Sequence, residues 1–353
     1  MEYMKRYDYE QLVFCNDNVA GLKAIIAVHD TTLGPSLGGI RMWPYKSEEE
    51  AILDALRLAR AMTYKASAAG LNLGGGKAVI IGDPAKDKSA GLFRSLGRFI
   101  ESLNGRYIST EDVGTTVQDM QDISSETSHV TGLPLSWGGS GDPSPMTGFG
   151  IYQGMKACAR AVFGSESLSG RTVAIQGFGK VGSYLAGYLR DEGVNMVVAE
   201  VNQTAAQRAR DEFGASLVSP DEIYDVECDV FAPCALGATL NKKTIPRLKC
   251  PVVAGGANNQ LEEDEDGDRL QQRGILHAPD YVLNAGGIIN LSLELTGYNP
   301  ELARTQVAEI YQRIEGIIAL ARSEQISTDR VADKLAQDRI DQAKRARQLY
   351  LKG

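Results

Sequence analysis

TVAIQGFGKVGSYLAGYLRDEGVNMVVAE, residues 172–200, is the most informative stretch of this chain. A short apolar run is followed by a glycine turn, a segment with helical spacing and a β-branched run that ends at Glu200. Strand, turn, helix and strand in this order and length are typical of a βαβ unit. The stretch therefore predicts a parallel sheet covered by helices, the Rossmann type of α/β domain.

The turn inside this unit has the pattern GxGxxG, and each glycine has a physical role. The first permits a tight turn, the second lets a pyrophosphate approach the backbone, and the third lets the helix pack on the strand. The first turn of the helix offers free N–H groups and the positive end of the helix dipole. The pattern alone is weak, but here it follows a strand and opens a helix. The predicted dinucleotide contacts are Gly177, Phe178, Gly179, Lys180, Val181 and Gly182.

The end of the second strand indicates which dinucleotide is bound. An acidic residue is expected about 20 positions after the first glycine, and Glu200 stands there. A carboxylate at this position accepts hydrogen bonds from ribose hydroxyls and repels a 2′-phosphate. The following residues, Val201, Asn202 and Gln203, offer no cation for such a phosphate. We therefore expect NAD as the cofactor, with Asn202 beside Glu200 in its site.

Length and composition indicate a globular protein of about two domains. The chain has 353 residues, a formal net charge of −8 and 43% hydrophobic residues. A negative balance disfavours nucleic-acid binding, and no apolar run reaches the roughly 18 residues of a membrane span. A glycine- and proline-rich segment, about 133–144, is the predicted hinge. It separates a first domain, 1–132, from a cofactor-binding domain, 145–327, with a last helix, 328–353, returning to the first.

The cysteines and histidines predict neither a disulfide framework nor a metal site. The five cysteines are scattered and lack CxxC spacing, so we expect reduced thiols. The three histidines are not within helical reach of another histidine or a cysteine, and no metal is expected. Reduced thiols and the absence of a signal-peptide pattern favour a cytoplasmic location.

Two polar residues of the first half are candidates for acid–base chemistry. Lys77 follows three glycines and precedes an apolar strand-like run, so its ammonium would be partly desolvated and more readily a base. A phosphate-binding loop is excluded, because Leu71 and Ala78 stand where glycine and Ser or Thr are required. Asp112 is the matching carboxylate; the alternative is that it caps a helix beginning near Thr116.

Seven sequence blocks extend the interpretation to the whole chain. They are HDTTLGPSLGGIRM, MTYK, GLNLGGGK, NGRYISTEDVGTT, GDPSPMTGFG, GGANNQ and APDYVLNAGGIIN. In this order they resemble the glutamate/leucine/phenylalanine/valine dehydrogenase family, and most closely its leucine branch. The resemblance implies two α/β domains around a cleft, an N-terminal substrate and oligomerisation domain and a Rossmann-type NAD domain. It also implies a homo-oligomer, hexameric or octameric, acting on a small-molecule substrate.

The implied reaction is the NAD-dependent, reversible oxidative deamination of an L-amino acid to a 2-oxo acid, ammonia and NADH. The lysine that corresponds to Lys77 activates the water that attacks the iminium carbon. The aspartate that corresponds to Asp112 exchanges protons with the substrate nitrogen, and Thr147 matches a position on the nicotinamide side. The resemblance implies that Lys65 and backbone N–H groups near Gly38 and Gly39 bind the substrate carboxylate. The pair Asn258 and Asn259 is implied to bind it as well, and Asn258 is also placed beside the cofactor.

The side-chain pocket is predicted to be apolar. Leu37 and Leu291 match positions at which the glutamate branch holds a distal carboxylate, and a carboxylate buried there without a partner would cost several kcal/mol. Thr110, Ile288 and Leu291 are bulkier than the alanine and two valines typical of the leucine branch, which favours small branched substrates such as valine. A phenylalanine- or other aromatic-specific enzyme is the alternative, and a silent NAD-binding sensor a remote one. A 2-hydroxy-acid dehydrogenase is disfavoured, because no histidine has the sequence context of a catalytic base.

Overall fold

The computed structural model describes residues 2–350, which form two compact units. Unit 1 comprises residues up to Asp142, Leu291–Tyr298 and residues from Ala336 onward, and unit 2 comprises Pro143–Asn290 and Asn299–Leu335. These bounds differ from the predicted domains in two places. Residues 291–298, predicted in the cofactor domain, belong to unit 1. The last helix is divided between the units, and residues 351–353 of its predicted range lie outside the described residues.

Local hydrogen bonds explain both differences. The Glu294 carboxylate accepts hydrogen bonds from the backbone N–H groups of Gly132 and Ser140, which ties residues 291–298 to unit 1. At the start of the last helix, the Thr328 hydroxyl donates to the His277 carbonyl in unit 2. The Ala336 carbonyl, two turns later, accepts from a serine hydroxyl of unit 1.

Unit 1 is built on a five-stranded mixed sheet of order β1-β2-β4-β3-β5. The pairs β1–β2 and β2–β4 are antiparallel, whereas β3 runs parallel to both β4 and β5. The strands are β1 (Gln11–Asp17), β2 (Leu22–Asp30), β3 (Ser36–Trp43), β4 (Gly74–Ile81) and β5 (Tyr107–Glu111); the helices are α1 (Glu2–Arg6), α2 (Glu48–Ala68), α3 (Ala90–Ser102) and α4 (Val117–Ser124).

Helices cover both faces of this sheet. Alanines of α2 pack with Val79 of β4 on one face, and apolar residues of α3 and α4 pack with Ala78 on the other. Ser47 followed by Glu50 is a capping-box pattern that predicts a helix start, and α2 begins there, because the Ser47 hydroxyl accepts a hydrogen bond from the Glu50 N–H. A side chain at Gly75 would come within 2.1 Å of the Thr63 backbone nitrogen, so this glycine lets α2 lie directly on β4.

Unit 2 is built on a six-stranded sheet of order β11-β10-β9-β6-β7-β8, and all its neighbouring strands are parallel. This is the Rossmann strand order, so the predicted fold class is confirmed. The strands are β6 (Thr172–Gln176), β7 (Asn195–Ala199), β8 (Ser216–Leu217), β9 (Val230–Pro233), β10 (Val252–Val253) and β11 (Leu276–His277).

The remaining helices are α5 (Ser144–Phe163), α6 (Lys180–Asp191), α7 (Gln203–Phe213), α8 (Glu265–Gln272), α9 (Asp280–Leu283), α10 (Gly286–Ser292), α11 (Pro300–Ala308), α12 (Ile310–Glu324) and α13 (Thr328–Tyr350). The sequence predicts one helix over 301–323, but the chain forms two. They are divided at Glu309, whose N–H bonds the Gln306 carbonyl, three residues back, in place of a regular helical partner. Within residues 2–350, no helix is both long and apolar enough to cross a membrane.

Candidate active site

The candidate site of unit 1 starts from the register of three adjacent strands. Gly39 of β3 pairs with Thr110 of β5, and the β3–β4 register sets Lys77 opposite Gly39. Directly paired residues share a face of a sheet, so the three form one row. The row lies on the face covered by α2, because Lys77 is two residues before Val79, which packs against that helix.

An ion pair forms at this row. The Lys77 ammonium is 95% buried and lies 2.7 Å, Nζ to Oδ2, from the Asp112 carboxylate just beyond β5. Arg41 donates to the same oxygen from its Nε at 3.1 Å, and its Nη1 contacts Asp54 at 3.0 Å. Burial alone would raise the pKa of Asp112, but the charges of Lys77 and Arg41 outweigh it and lower this pKa to about 2.

Two glycines make room for these contacts. A Cβ at Gly39 would lie 2.7 Å from the Asp112 Cβ and 3.2 Å from the Lys77 Nζ. A Cβ at Gly38 would lie 1.7 Å from the Gly76 carbonyl oxygen. No side chain fits at either position. The bare β3 backbone therefore lies directly beside the lysine and the carboxylate.

Asp112 is not a helix cap. The N-cap of α4 is Thr116, whose hydroxyl accepts from the Asp119 N–H, while the Asp119 carboxylate bonds the Thr116 N–H in return. The Asp112 backbone is held separately, because its N–H donates to the Thr115 hydroxyl at 2.9 Å. The alternative predicted for Asp112 is therefore wrong, and its side chain is left for the ion pair with Lys77.

The other predicted substrate residues of unit 1 fall into two groups. Lys65 is partly buried in the last turn of α2, the helix that covers the face carrying Lys77. Leu37 is fully buried on β3, two residues before Gly39 and therefore on the same face. Thr110 and Leu291 both approach Gly132: a Cβ there would lie 2.9 Å from the Thr110 Oγ1 and 3.6 Å from the Leu291 Cδ2. The Thr110 hydroxyl is buried without a hydrogen-bond partner among the described residues.

The glycine turn of unit 2 has the geometry that a dinucleotide requires. Gly177 has a φ of +95°, and a Cβ there would lie 2.7 Å from that of Ala235. A Cβ at Gly182 would lie 2.5 Å from the Gly177 carbonyl oxygen, so this glycine brings α6 against β6. Gly179 caps α6 without a side chain and faces open space, so no side chain of the cap residue stands between the first turn of α6 and a phosphate.

Glu200 closes this turn from the end of β7. Its carboxylate accepts hydrogen bonds from the Phe178 N–H at 2.6 Å and the Asn202 N–H at 2.8 Å. The Asn202 side chain caps α7 by accepting a hydrogen bond from the Ala205 N–H. Asn202, predicted to lie beside the cofactor, therefore also has a local structural role. Of the other predicted turn residues, Lys180 begins α6, and the Val181 side chain lies close to the position a Cβ at Gly256 would take.

The remaining predicted residues of unit 2 lie in the loop 254–260 and at the ends of α5 and α10. Asn258 accepts a hydrogen bond from the Asn284 side chain at 2.7 Å, and Asn259 adopts a φ of +52°. A Cβ at Gly287 would lie 2.8 Å from the Thr147 Oγ1, which places Thr147 next to the start of α10. Ile288 is buried one residue later. Among the side chains that the structure describes, those of residues 4–346, no group of three or more His, Cys, Asp or Glu could hold a metal ion.

Comparison with known families matches both halves of the chain. Residues 10–129 match the model described as Glu/Leu/Phe/Val dehydrogenase, dimerisation domain, and residues 138–204 and 196–347 match Glutamate/Leucine/Phenylalanine/Valine dehydrogenase. The chain belongs to this family. The resemblance predicted from seven sequence blocks is confirmed, and the protein is an amino-acid dehydrogenase.

Individual members of the Glu/Leu/Phe/Val dehydrogenase family align over nearly the full chain. A leucine dehydrogenase from Bacillus cereus is 58% identical over 351 residues, covering 99% of this chain and 96% of the relative. A leucine dehydrogenase from Bacillus subtilis is 57% identical with the same coverage. The crystal structure of L-tryptophan dehydrogenase from Nostoc punctiforme superposes with a TM-score of 0.85 at 44% identity, over 97% of this chain and 99% of that one.

Three further residues of this family member support the site and were not predicted from the sequence. Arg41 holds Asp112, and its signal was an arginine among apolar residues directly after the glycine pair. Glu294 binds the backbone of Gly132 and Ser140, at the edge of the predicted pocket and in the predicted hinge. Gln260 donates to the carbonyls of Gly255 and Ala257, which shapes the loop that carries Asn258. No local pattern around Glu294 or Gln260 predicted these contacts.

Proposed function

We propose that this family member catalyses the NAD-dependent, reversible oxidative deamination of branched-chain and small aliphatic L-amino acids, namely leucine, valine and isoleucine. The products are the 2-oxo acid, ammonia and NADH. The observation that carries the proposal is the buried Lys77–Asp112 pair, Nζ to Oδ2 at 2.7 Å. The reaction requires that one proton be removed from the substrate nitrogen and one from the attacking water. The pair places a carboxylate and an amine side by side for these two transfers.

The lysines and the aspartate would divide the work. Lys65 holds the substrate carboxylate as a point charge, assisted by backbone N–H groups near Gly38 and Gly39. Asp112, which the charge of Lys77 keeps ionised, accepts a proton from the substrate ammonium once Lys77 is neutral. After the Cα hydrogen leaves as hydride, the iminium carbon is open to water, and Lys77 removes the proton of the attacking water. Asp112 then gives its proton to the carbinolamine nitrogen and takes up the hydroxyl proton, so the C–N bond breaks, ammonia leaves and the 2-oxo acid remains.

The ion pair also controls which group holds a proton at each step. Lys77 acts as a base only after its ammonium has given a proton to solvent, which frees the lone pair of the Nζ. The lysine charge is in turn the main attraction that lowers the pKa of Asp112. Loss of that charge lets the carboxyl group keep a proton more readily, so each transfer at Lys77 prepares the next one at Asp112.

We infer that NAD is the hydride acceptor and that Gly177, Gly179, Gly182 and Glu200 hold it. The open space at Gly179 beside the uncapped start of α6 fits a pyrophosphate, and the carboxylate at the end of β7 fits a ribose diol. When bound, NAD supplies the acceptor for the hydride. Glu200→Gln keeps the shape of the side chain but removes its charge and one of its two acceptor oxygens, and we expect it to reduce the preference for NAD over NADP at least 10-fold. An unchanged preference would contradict this role of Glu200.

The substrate class follows from the apolar side chains of the predicted pocket. Leu37 and Leu291 are buried, and their side chains offer no hydrogen-bond or ionic partner to a distal carboxylate. Burying the glutamate side chain there would therefore cost several kcal/mol of binding free energy. The relatives named leucine dehydrogenase are also more similar to this chain than the tryptophan dehydrogenase. An aromatic substrate is the alternative, and the bulk of Thr110 and Leu291 around Gly132 disfavours it.

The test is NADH formation at alkaline pH with L-valine, L-leucine, L-isoleucine, L-phenylalanine and L-glutamate. We expect turnover of the three aliphatic acids, none of glutamate, and a loss of at least 100-fold in Lys77→Ala. Lys86→Ala, which removes a lysine that is highly exposed, is the matched control and should be fully active. A best rate with phenylalanine would establish the aromatic alternative. NAD binding without any turnover would favour the silent sensor.

We also propose that the chain forms a homo-oligomer through unit 1 and acts in the cytoplasm. The family model that matches residues 10–129 is described as a dimerisation domain. In addition, β1 is an edge strand of the unit 1 sheet, and its Phe14 is 61% exposed. All five cysteines are unpaired, as in a reducing compartment. Light scattering that gives the mass of a single chain would refute the oligomer.

A further inference from the structure

Two cysteines lie side by side where β9 and β10 begin. The backbone of Glu227 pairs with that of Lys249, and Val230 pairs with Val252. The two segments, 227–230 and 249–252, therefore keep one register. The same register sets Cys228 opposite Cys250. Neighbouring strands are about 4.8 Å apart, which falls inside the Cα separation of about 4.4–6.8 Å that a disulfide requires.

The side chains of this pair face the same way. Both cysteines pack against one apolar cluster that includes Ile245 and Leu248. The Cys228 thiol also shares a hydrogen bond with the Cys250 thiol. Cys250 is buried, whereas Cys228 is partly exposed. A small oxidant can therefore approach the pair from the Cys228 side without unfolding the sheet.

The surroundings favour a thiolate at Cys250. The hydrogen bond from Cys228 is the largest influence and lowers the pKa of Cys250. Burial opposes it, but backbone N–H groups and the charge of Arg273 also lower this pKa. Arg273 is held in place because its guanidinium donates to the carbonyls of Ile245 and Leu248. Cys228 keeps its proton, since donating to Cys250 and burial both raise its pKa.

The other three cysteines have the opposite character. Burial raises the pKa of Cys15 and Cys158 to about 12 and that of Cys234 to about 11. Cys15 and Cys158 are buried and Cys234 is partly exposed, and none of the three has a cysteine in register beside it. Only the thiolate reacts with peroxides and disulfides, so these three should stay inert in the folded protein.

We propose that Cys228 and Cys250 form a modification site: a dithiol that a peroxide converts reversibly into a disulfide linking β9 to β10. The Cys250 thiolate attacks hydrogen peroxide, which gives a sulfenic acid and hydroxide. The Cys228 sulfur then attacks the sulfenic sulfur and the S–O bond breaks, with release of water. Hydroxide takes up the proton that Cys250 lost on ionisation, so two thiols and one peroxide give one disulfide and two waters. Two electrons pass from the thiols to the peroxide.

The experiment treats the native full chain with hydrogen peroxide and counts free thiols, then maps tryptic peptides by mass spectrometry. We expect two of the five thiols to be lost together and to return with dithiothreitol. The peptide that contains Cys228 should be joined to the one that begins at Cys250. Cys228→Ser and Cys250→Ser should abolish the link. Cys234→Ser, on the same tryptic peptide as Cys228, is the matched control and should keep it.

Three results would overturn the proposal. They are the absence of the joined peptide in the oxidised wild type, a link between two chains on a non-reducing gel, and stepwise loss of single thiols to sulfinic acid. The peptide map of the wild type decides the matter even if a serine variant folds poorly. None of these readouts depends on the proposed deamination activity.

Discussion

The Nζ of Lys77 lies 2.7 Å from the Oδ2 of Asp112, although the strand that carries Lys77 and the strand that leads into Asp112 are not neighbours. In the sheet of unit 1, β3 runs between β4 and β5. The two side chains meet across β3 because the residue between them is Gly39, whose absent side chain leaves the space open. The ion pair is therefore a consequence of one glycine as much as of the two charged residues.

Gly39→Ala should separate this pair. The new Cβ would lie 2.7 Å from the Asp112 Cβ and 3.2 Å from the Lys77 Nζ, so both must move. A displacement of about 1 Å at reacting groups can cost about 100-fold in rate, and we expect kcat/KM for L-leucine to fall by at least that factor. Gly316→Ala, on an open face of α12, is the matched control. A Gly39→Ala enzyme with wild-type kcat/KM would show that the contact is dispensable.

The low pKa of Asp112 predicts how stability depends on acid. A carboxyl group whose pKa is lowered on folding contributes stability above its unfolded value, near 4, and loses it as the pH falls towards the folded value of about 2. The shift corresponds to at most about 2.5 kcal/mol. The free energy of unfolding of the wild type, measured by urea denaturation from pH 5 to pH 2.5, should therefore fall more steeply than that of Asp112→Asn. Parallel curves would contradict the pairing.

The strands and helices of this chain were predictable to different degrees. The β-branched, apolar run LKAIIAVHD predicts a strand and Ser47 followed by Glu50 predicts a helix start, and the structure has β2 over Leu22–Asp30 and α2 capped by Ser47, because such signals are local. The strand β3 was not, since its two glycines and an arginine are atypical of a strand. Those glycines are required by close contacts outside β3, of Gly38 with Gly76 and of Gly39 with Asp112. Such contacts are not visible along one stretch of sequence.

The same distinction applies to the candidate site. Lys77 and Asp112 could be selected as candidates from their neighbours in the sequence and from the family resemblance. Arg41 and Glu294 could not, because their partners are 71 and up to 162 residues away. The prediction of a desolvated Lys77 took account of burial but not of the carboxylate beside it. Charges in a folded site depend on which strands the topology brings together.

Thr110 carries a hydroxyl that is buried without a hydrogen-bond partner, which costs about 1–3 kcal/mol. Thr110→Val replaces this hydroxyl with a methyl group of nearly the same shape. We expect the free energy of unfolding to rise by about 1 kcal/mol and kcat/KM for L-valine to be maintained or raised. Thr110→Ser, which keeps the hydroxyl and loses the methyl group, is the control and should be less stable than the wild type. A Thr110→Val variant that is destabilised would show that the hydroxyl has a partner.

Hydrogen-bond geometry assigns a positive charge to His277 in unit 2. Its Nδ1 lies 2.9 Å from the Asp329 carboxylate, and its Nε2 lies 3.3 Å from the side-chain oxygen of Gln260. The Gln260 amide nitrogen donates to two backbone carbonyls, so its oxygen must accept. Both ring nitrogens of His277 therefore donate, and the ring is an imidazolium. Burial opposes this charge, but Asp329, with a further contribution from Asp280, raises the pKa of His277 above its usual value.

This charge predicts a loss of stability at higher pH. A histidine whose pKa is raised on folding contributes its full stability below the unfolded value, near 6.5, and loses it as the pH rises through the folded value. Between the two values the free energy of unfolding should fall by about 1.4 kcal/mol per pH unit. Asp329→Asn removes the attraction and should flatten this slope, measured by urea denaturation from pH 6 to pH 9. His129→Asn, at a partly exposed histidine, should leave it unchanged. If the slope survives in Asp329→Asn, another group titrates, and His277 holds the loop around Gln260 as a neutral ring.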